Sequence, residues 1–205
     1  MDLQPEVSLR RFRELGVQDI DEMLNPYRQL GVFHDLEMGL VGREEFVARL
    51  NEHAGTDLTD EQINEAILLF LKGVPQYKFD CLEQLRKKYK IYILSNTNPY
   101  IMAYAHSPHF LPATGRTLSD YVDKVYASCE MQTMKPDRAI YEQMIADSGM
   151  VPERTLFIDD STANLEAAAA LGLQTLLAVN ATDWRPALAL SLIHISEPTR
   201  LLSIS

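Results

Sequence analysis

A parallel α/β sheet with helices on both faces, joined to a separate all-helical segment, is the fold class that this sequence predicts. Three observations carry the prediction. Strand-like runs recur at residues 91–94, 122–127, 155–158 and 174–179, of which 91–94 is apolar and rich in β-branched residues. Stretches of helical period separate them, and strand alternating with helix implies parallel strands joined by right-handed crossovers. Ahead of Lys78 the chain shows helical spacing alone.

Each element follows in turn. Between residues 7 and 77 apolar positions fall at helical intervals: Leu9, Phe12 and Leu15, then Phe46 and Leu50, then Ile63, Ile67, Leu68 and Leu71. Thr59 followed three positions on by Gln62 has the spacing of a capping box, which marks a helix start. Gly16, Gly31, Gly39, Gly42 and Gly55 punctuate the segment, so a bundle of about four helices is expected. Residues 80–89 read as an amphipathic helix with Leu82 and Leu85 inward and Arg86, Lys87 and Lys88 outward. The run 91–94 suits a strand buried on both faces. A long polar connection, 107–120, precedes the strand at 122–127, and 138–148 is helical. The strand at 155–158 runs into Asp159 and Asp160. An alanine-rich helix at 164–171 closes on Gly172, and a last strand spans 174–179. In such sheets chemistry sits beyond the carboxyl ends of the strands.

Composition narrows the function classes. The 205 residues are 46% hydrophobic and 23% charged, as in soluble globular proteins. A formal net charge of −10 argues against nucleic acid as a partner, because binding its backbone needs clustered Lys and Arg. It leaves room for a small phosphorylated ligand, whose site needs a metal ion and one or two cations. No apolar run reaches membrane-span length and no signal-peptide pattern opens the chain. Cys81 and Cys129 lie far apart in no metal-ligand spacing, which fits a reduced, cytoplasmic protein.

Three strand ends carry polar groups with chemical potential. Ser95-Asn96 follows the first buried run, where a hydroxyl and an amide can hold an anionic oxygen; a plain turn is the bland reading. Met134-Lys135-Pro136-Asp137 precedes a helix, with Pro136 at a position that tolerates a first-turn proline. Lys135 at the lip of the sheet would suit a phosphate, although most lysines are simply solvated. Phe157-Ile158-Asp159-Asp160-Ser161, with Asn164 beyond it, places two carboxylates directly after an apolar strand. Adjacent unpaired carboxylates are costly to bury unless a cation neutralises them, and oxygen-only ligands point to Mg²⁺. The bland alternative is that Asp160 caps the next helix.

Together and in this order, the three sites resemble the haloacid dehalogenase-like (HAD) superfamily over roughly residues 2–185. The resemblance implies a Rossmann-like core and a magnesium-dependent phosphatase that works through an aspartyl phosphate on a small phosphorylated metabolite, with a sugar phosphate as the expected substrate. Ser95 falls on the motif whose hydroxyl bonds the phosphoryl group, with Asn96 beside it as a second substrate contact. Lys135 falls on the lysine that stabilises negative charge. Asp159 and Asp160 fall on the acidic pair that holds magnesium, Asp160 as the direct ligand and Asp159 supporting it, and Asn164 matches the polar residue that closes this motif. The resemblance divides the chain into an α-helical cap, 2–78, and an α/β core, 79–189.

Two features depart from the family pattern. Its first motif, a strand ending in the nucleophilic Asp, is not matched; Asp2 has no hydrophobic strand before it. The chain is therefore expected to begin downstream of that strand, to leave a gap in the middle of the sheet, and to be inactive by itself. Residues 190–205 resemble a translated sequencing-library adapter and are expected to be an artefactual tail outside the fold, so His194 is not a candidate ligand. His34, His53, His106 and His109 fit no ligand spacing; His106 and His109 are the two expected near the site mouth. The competing readings are a 2-haloacid dehalogenase, disfavoured by the acidic pair, a phosphomutase, and a non-catalytic binding protein on the same scaffold. Oligomeric state is not legible.

Overall fold

The computed structural model describes residues 2–24, 30–178, 182–183, 185–193 and 201–204. The expected strand end at Val179, together with Met1 and residues 194–200 of the tail, lies outside these. The chain divides into two compact units, one of residues 1–75 and 97–117, the other of residues 76–96 and 118–205.

The first unit holds helices α1 (Pro5–Glu14), α2 (Ile20–Met23), α3 (Gly31–Glu37), α4 (Arg43–Ala54) and α5 (Asp60–Leu68). The capping box at the start of α5 is present in full: Thr59 accepts from the Gln62 backbone, and the Gln62 side chain accepts from the Thr59 backbone. Phe12, Phe33 and Phe46 are buried and stack edge to face, with ring centroids 5.6 and 5.0 Å apart. Burying aromatic faces in this way supplies much of the bundle's cohesion. The segment is not helical throughout. Strands β1 (Asp2–Leu3) and β2 (Leu71–Gly73) pair antiparallel, and the Gln4 backbone N–H donates to Phe70 O at 2.9 Å.

The expected boundary at 78–79 falls inside α6 (Gln76–Leu85), which lies whole in the second unit. Residues 97–117, expected in the core, group with the helical unit instead. The reason is Tyr100 on α7 (Pro99–Ala105): its fully buried ring joins Phe46 at 6.0 Å, and its hydroxyl donates to Asp60 Oδ1 at 2.8 Å. The Arg43 guanidinium lies 4.2 Å from the centre of the same ring and pairs with Asp60.

The second unit is built on strands β3 (Lys90–Ser95), β4 (Lys124–Ala127), β5 (Thr155–Asp159), β6 (Gln174–Leu177) and β7 (Leu201–Ile204), in the spatial order β4-β3-β7-β5-β6. All pairings are parallel. Helices α8 (Ser128–Met131), α9 (Arg138–Ser148), α10 (Thr162–Ala169) and α11 (Arg185–Ile193) complete it. Every residue of β5 is buried, which explains its unbroken apolar run. Its core also takes in Leu94, Ile140, Tyr141, Met144 and Ala168.

Four sequence expectations are corrected. The middle of the sheet holds no gap: Leu201–Ile204 lies between β3 and β5, with Leu202 opposite both Ile91 and Leu156. The tail set aside from the fold thus contributes its central strand, and α11 runs across the expected end of the core at 189. The physical reason is that β3 and β5 each present an edge of unpaired backbone groups, which a parallel strand between them satisfies at once. Gly172 does not close α10 directly either; the C-cap is Ala170, and Gly172 sits further on at φ +88°.

Candidate active site

The site is built where β3 and β5 end, together with the loop that precedes α9. Strand β3 ends at Ser95 and β5 at Asp159, so both side chains stand at the carboxyl edge of the parallel sheet. The loop from β4 and α8 brings Lys135 to the same edge. Helix α9 starts at Arg138 with Asp137 as its N-cap, so Pro136 lies ahead of the first turn rather than within it, and the Asp137 side chain makes no cap hydrogen bond.

Lys135 and Asp159 form the buried centre. Lys135 Nζ donates to Asp159 Oδ2 at 2.8 Å, and the two side chains are 4% and 0% exposed. Asp159 Oδ1 accepts from the Ser161 backbone N–H and from Asn164 Nδ2, each at 2.9 Å. Tyr141 on α9 donates to the Asn164 carbonyl at 3.0 Å. Burial depresses the Lys135 ammonium from its ordinary value, against the opposing pull of Asp159 and Asp160. Burial likewise raises the Tyr141 phenol, with the Asp159 charge adding to it.

Asn96 and Ser95 differ in what they spend. Asn96 Oδ1 accepts from the Lys135 backbone N–H at 2.8 Å, and its Nδ2 donates to the Lys135 carbonyl at 2.9 Å. The Ser95 hydroxyl reaches the Asn96 carbonyl only at 3.4 Å, a weak contact that a better acceptor would displace. Asp160, the next residue along, is exposed.

The structure thus gathers Ser95, Asn96, Lys135, Asp159 and Asn164 into one network, with Asp160 adjoining it in sequence. The buried carboxylate of the acidic pair is neutralised by a lysine, not left needing a metal. A hard dication remains chemically compatible with the exposed Asp160, because Mg²⁺ takes one or two carboxylates and keeps several waters. Among the described residues no group of three or more His, Cys, Asp and Glu side chains is assembled for a metal. Asp159, with both oxygens engaged, fits a supporting role better than direct ligation. The described histidines His34 and His53 pair with Asp35 and Asp19 in the helical unit, to which His106 and His109 also belong.

Tyr141 went unnoticed in the sequence. Its place in α9 is legible as a core position from helical period, but its bond to Asn164 depends on how α9 packs near α10. The Ser161 backbone donor was equally invisible, since any residue but proline would supply it.

Known proteins share this fold. The family model described as haloacid dehalogenase-like hydrolase matches residues 7–172. A D-ribitol-5-phosphate phosphatase of Bacteroides thetaiotaomicron is 38% identical over 192 residues, which cover 94% of this chain and 93% of the relative. The solved structure of a HAD-like family hydrolase from Porphyromonas gingivalis is 48% identical and superposes with a TM-score of 0.87 over 93% of this chain and 91% of that one. A HAD family enzyme from Bacteroides thetaiotaomicron, solved in complex with magnesium and inorganic phosphate, is 34% identical with a TM-score of 0.83 over 91% of this chain and 92% of that one.

Proposed function

Because this chain belongs to the haloacid dehalogenase-like hydrolase family, we propose that its site hydrolyses the phosphate ester of a small sugar or polyol with the help of magnesium. The observation that carries the reading is the buried Lys135–Asp159 pair, at the carboxyl edge of the sheet where β3 also ends in Ser95, with the exposed Asp160 next in sequence. A lysine withdrawn from water at the rim of a parallel sheet supplies fixed positive charge where a phosphoryl group can enter, and phosphoryl transfer depends mainly on such positioning and charge. The similarity to a D-ribitol-5-phosphate phosphatase favours a pentitol or pentose phosphate as the first substrate to try.

In this reading Ser95 donates its hydroxyl to a phosphoryl oxygen, and Lys135 offsets charge on the same group. Asp159 holds Lys135 in place, and Asn164 and the Ser161 N–H hold Asp159. Asp160 would bind the magnesium ion, with Asp159 in support. When bound, that ion neutralises phosphoryl charge as a Lewis acid. Among the described strands of the sheet, only β5 ends on a carboxylate, and that carboxylate is engaged by Lys135.

The test is phosphate release from p-nitrophenyl phosphate and D-ribitol 5-phosphate, with and without Mg²⁺. It uses the 205-residue chain and its Asp160→Ala variant. Magnesium-dependent release by the parent, lost in Asp160→Ala, supports the reading. If the parent releases no phosphate, the phosphatase reading falls.

A further inference from the structure

We propose that Asn96 is a positioning residue, not a substrate ligand, and that it acts on the phosphoryl site through the backbone of Lys135; the inference rests on the phosphatase reading above. Asn96 is the first residue beyond β3 and is itself exposed. An asparagine at such a turn ordinarily bonds its own loop. Here both ends of the amide go instead to one residue 39 positions away, Oδ1 to the Lys135 N–H at 2.8 Å and Nδ2 to the Lys135 carbonyl at 2.9 Å. An acceptor and a donor on one planar group, engaged with the donor and acceptor of one residue, set orientation as well as distance.

Lys135 is consequently held at two points. Asn96 holds its backbone, and Asp159 holds its ammonium at 2.8 Å. The lysine stem between them has several rotatable bonds, so anchoring the head alone leaves the loop free to shift, and anchoring the loop alone leaves the head free to turn. The two anchors come from the ends of β3 and β5, which are not neighbours in the sheet because β7 lies between them. Lys135 therefore ties two separated strand ends into one rigid edge. Each end of the amide makes one bond to Lys135, which fixes the orientation of the group and leaves substrate recognition on this side to the Ser95 hydroxyl.

The experiment has two arms. In the first, backbone hydrogen exchange of the 205-residue chain is followed by NMR in the parent, in Asn96→Leu, which keeps the volume but neither bond, and in Asn96→Asp, which keeps an acceptor. The Lys135 amide should exchange about tenfold or more faster in Asn96→Leu, since its acceptor is gone. Asn96→Asp should recover part of that protection, and the amides of β5 should be unchanged. In the second arm, hydrolysis of p-nitrophenyl phosphate is measured in the same three proteins. Asn96→Leu should lower kcat about 10–100-fold, as expected when a reacting group is displaced by a fraction of an ångström to an ångström. KM should stay within about threefold, because no ground-state contact is lost, and Asn96→Asp should fall between the two. Unchanged exchange at Lys135 overturns the proposal, as does a rise in KM at constant kcat, which would make Asn96 a direct substrate contact. Failure of the parent to hydrolyse any phosphate ester sinks the phosphatase reading alone, and the exchange arm still decides whether Asn96 holds Lys135.

Discussion

Lys135 Nζ lies 2.8 Å from Asp159 Oδ2 with both side chains almost wholly withdrawn from solvent. Removing water from two charges is expensive, and their attraction repays the cost only when the remaining lone pairs are satisfied. Asp159 meets that condition, since its other oxygen accepts from Ser161 and Asn164.

The pair predicts a non-additive mutant series. Lys135→Met leaves a buried carboxylate without its cation and should cost about 3–5 kcal/mol. Adding Asp159→Asn to that variant should return a large part of the loss, because the stranded charge is then gone. Urea unfolding of the two single variants and the double variant measures this; simple additivity would mean that the pair is not coupled in solution.

Asp160 should behave in the opposite way. It is exposed, so Asp160→Asn should change stability by no more than about 0.5 kcal/mol. It should nevertheless weaken the magnesium dependence of hydrolysis strongly, since a carboxylate is replaced by a poorer hard-ion ligand. A thermal melt and a magnesium titration of activity together separate this outcome from a folding defect.

Strand β7 makes a prediction about the sheet. Deleting residues 201–205 would leave facing edges of β3 and β5 without partners, and each unsatisfied buried backbone group costs about 1–3 kcal/mol. The deletion should lower the urea midpoint sharply and promote association through the exposed edges. An unchanged midpoint would mean that the segment contributes nothing to the sheet in solution.

Glu37, at the end of α3, predicts a pH effect in the helical unit. Burial pushes its carboxyl from 4.5 up to about 7. The folded state then binds more protons than the unfolded state between those values, so stability falls as pH rises through that window. Glu37→Gln removes the titration, and its unfolding free energy relative to the parent should become more favourable by about 1–3 kcal/mol from near pH 5 to near pH 8. Parallel pH profiles of parent and variant would contradict this.

Much of the core was legible because its signals are local. The buried runs around Leu94 and Ile158 are apolar on both faces, as central parallel strands must be, and the helix predicted at 138–148 is the one observed. The capping box at Thr59 was legible for the same reason: its two bonds join residues three apart. The polar residues at the strand ends stood out because nothing in the stability of a buried strand explains Asp159 and Asp160 after Ile158.

What the local signals left open was which partner each group would find. By itself the sequence determined the alternation of strand and helix, the helical character of most of the N-terminal segment, and the residues that bear the chemistry. Only the tertiary structure decided that the cation facing Asp159 is Lys135, that the Asn96 amide is spent on the Lys135 backbone, that residues 97–117 join the helical unit, and that Leu201–Ile204 completes the sheet. The physical reason is range. Periodicity and caps report on neighbours a few residues apart, whereas these contacts close loops of 24, 39 or more residues, and their partners are chosen by packing and by the need to satisfy buried polar groups.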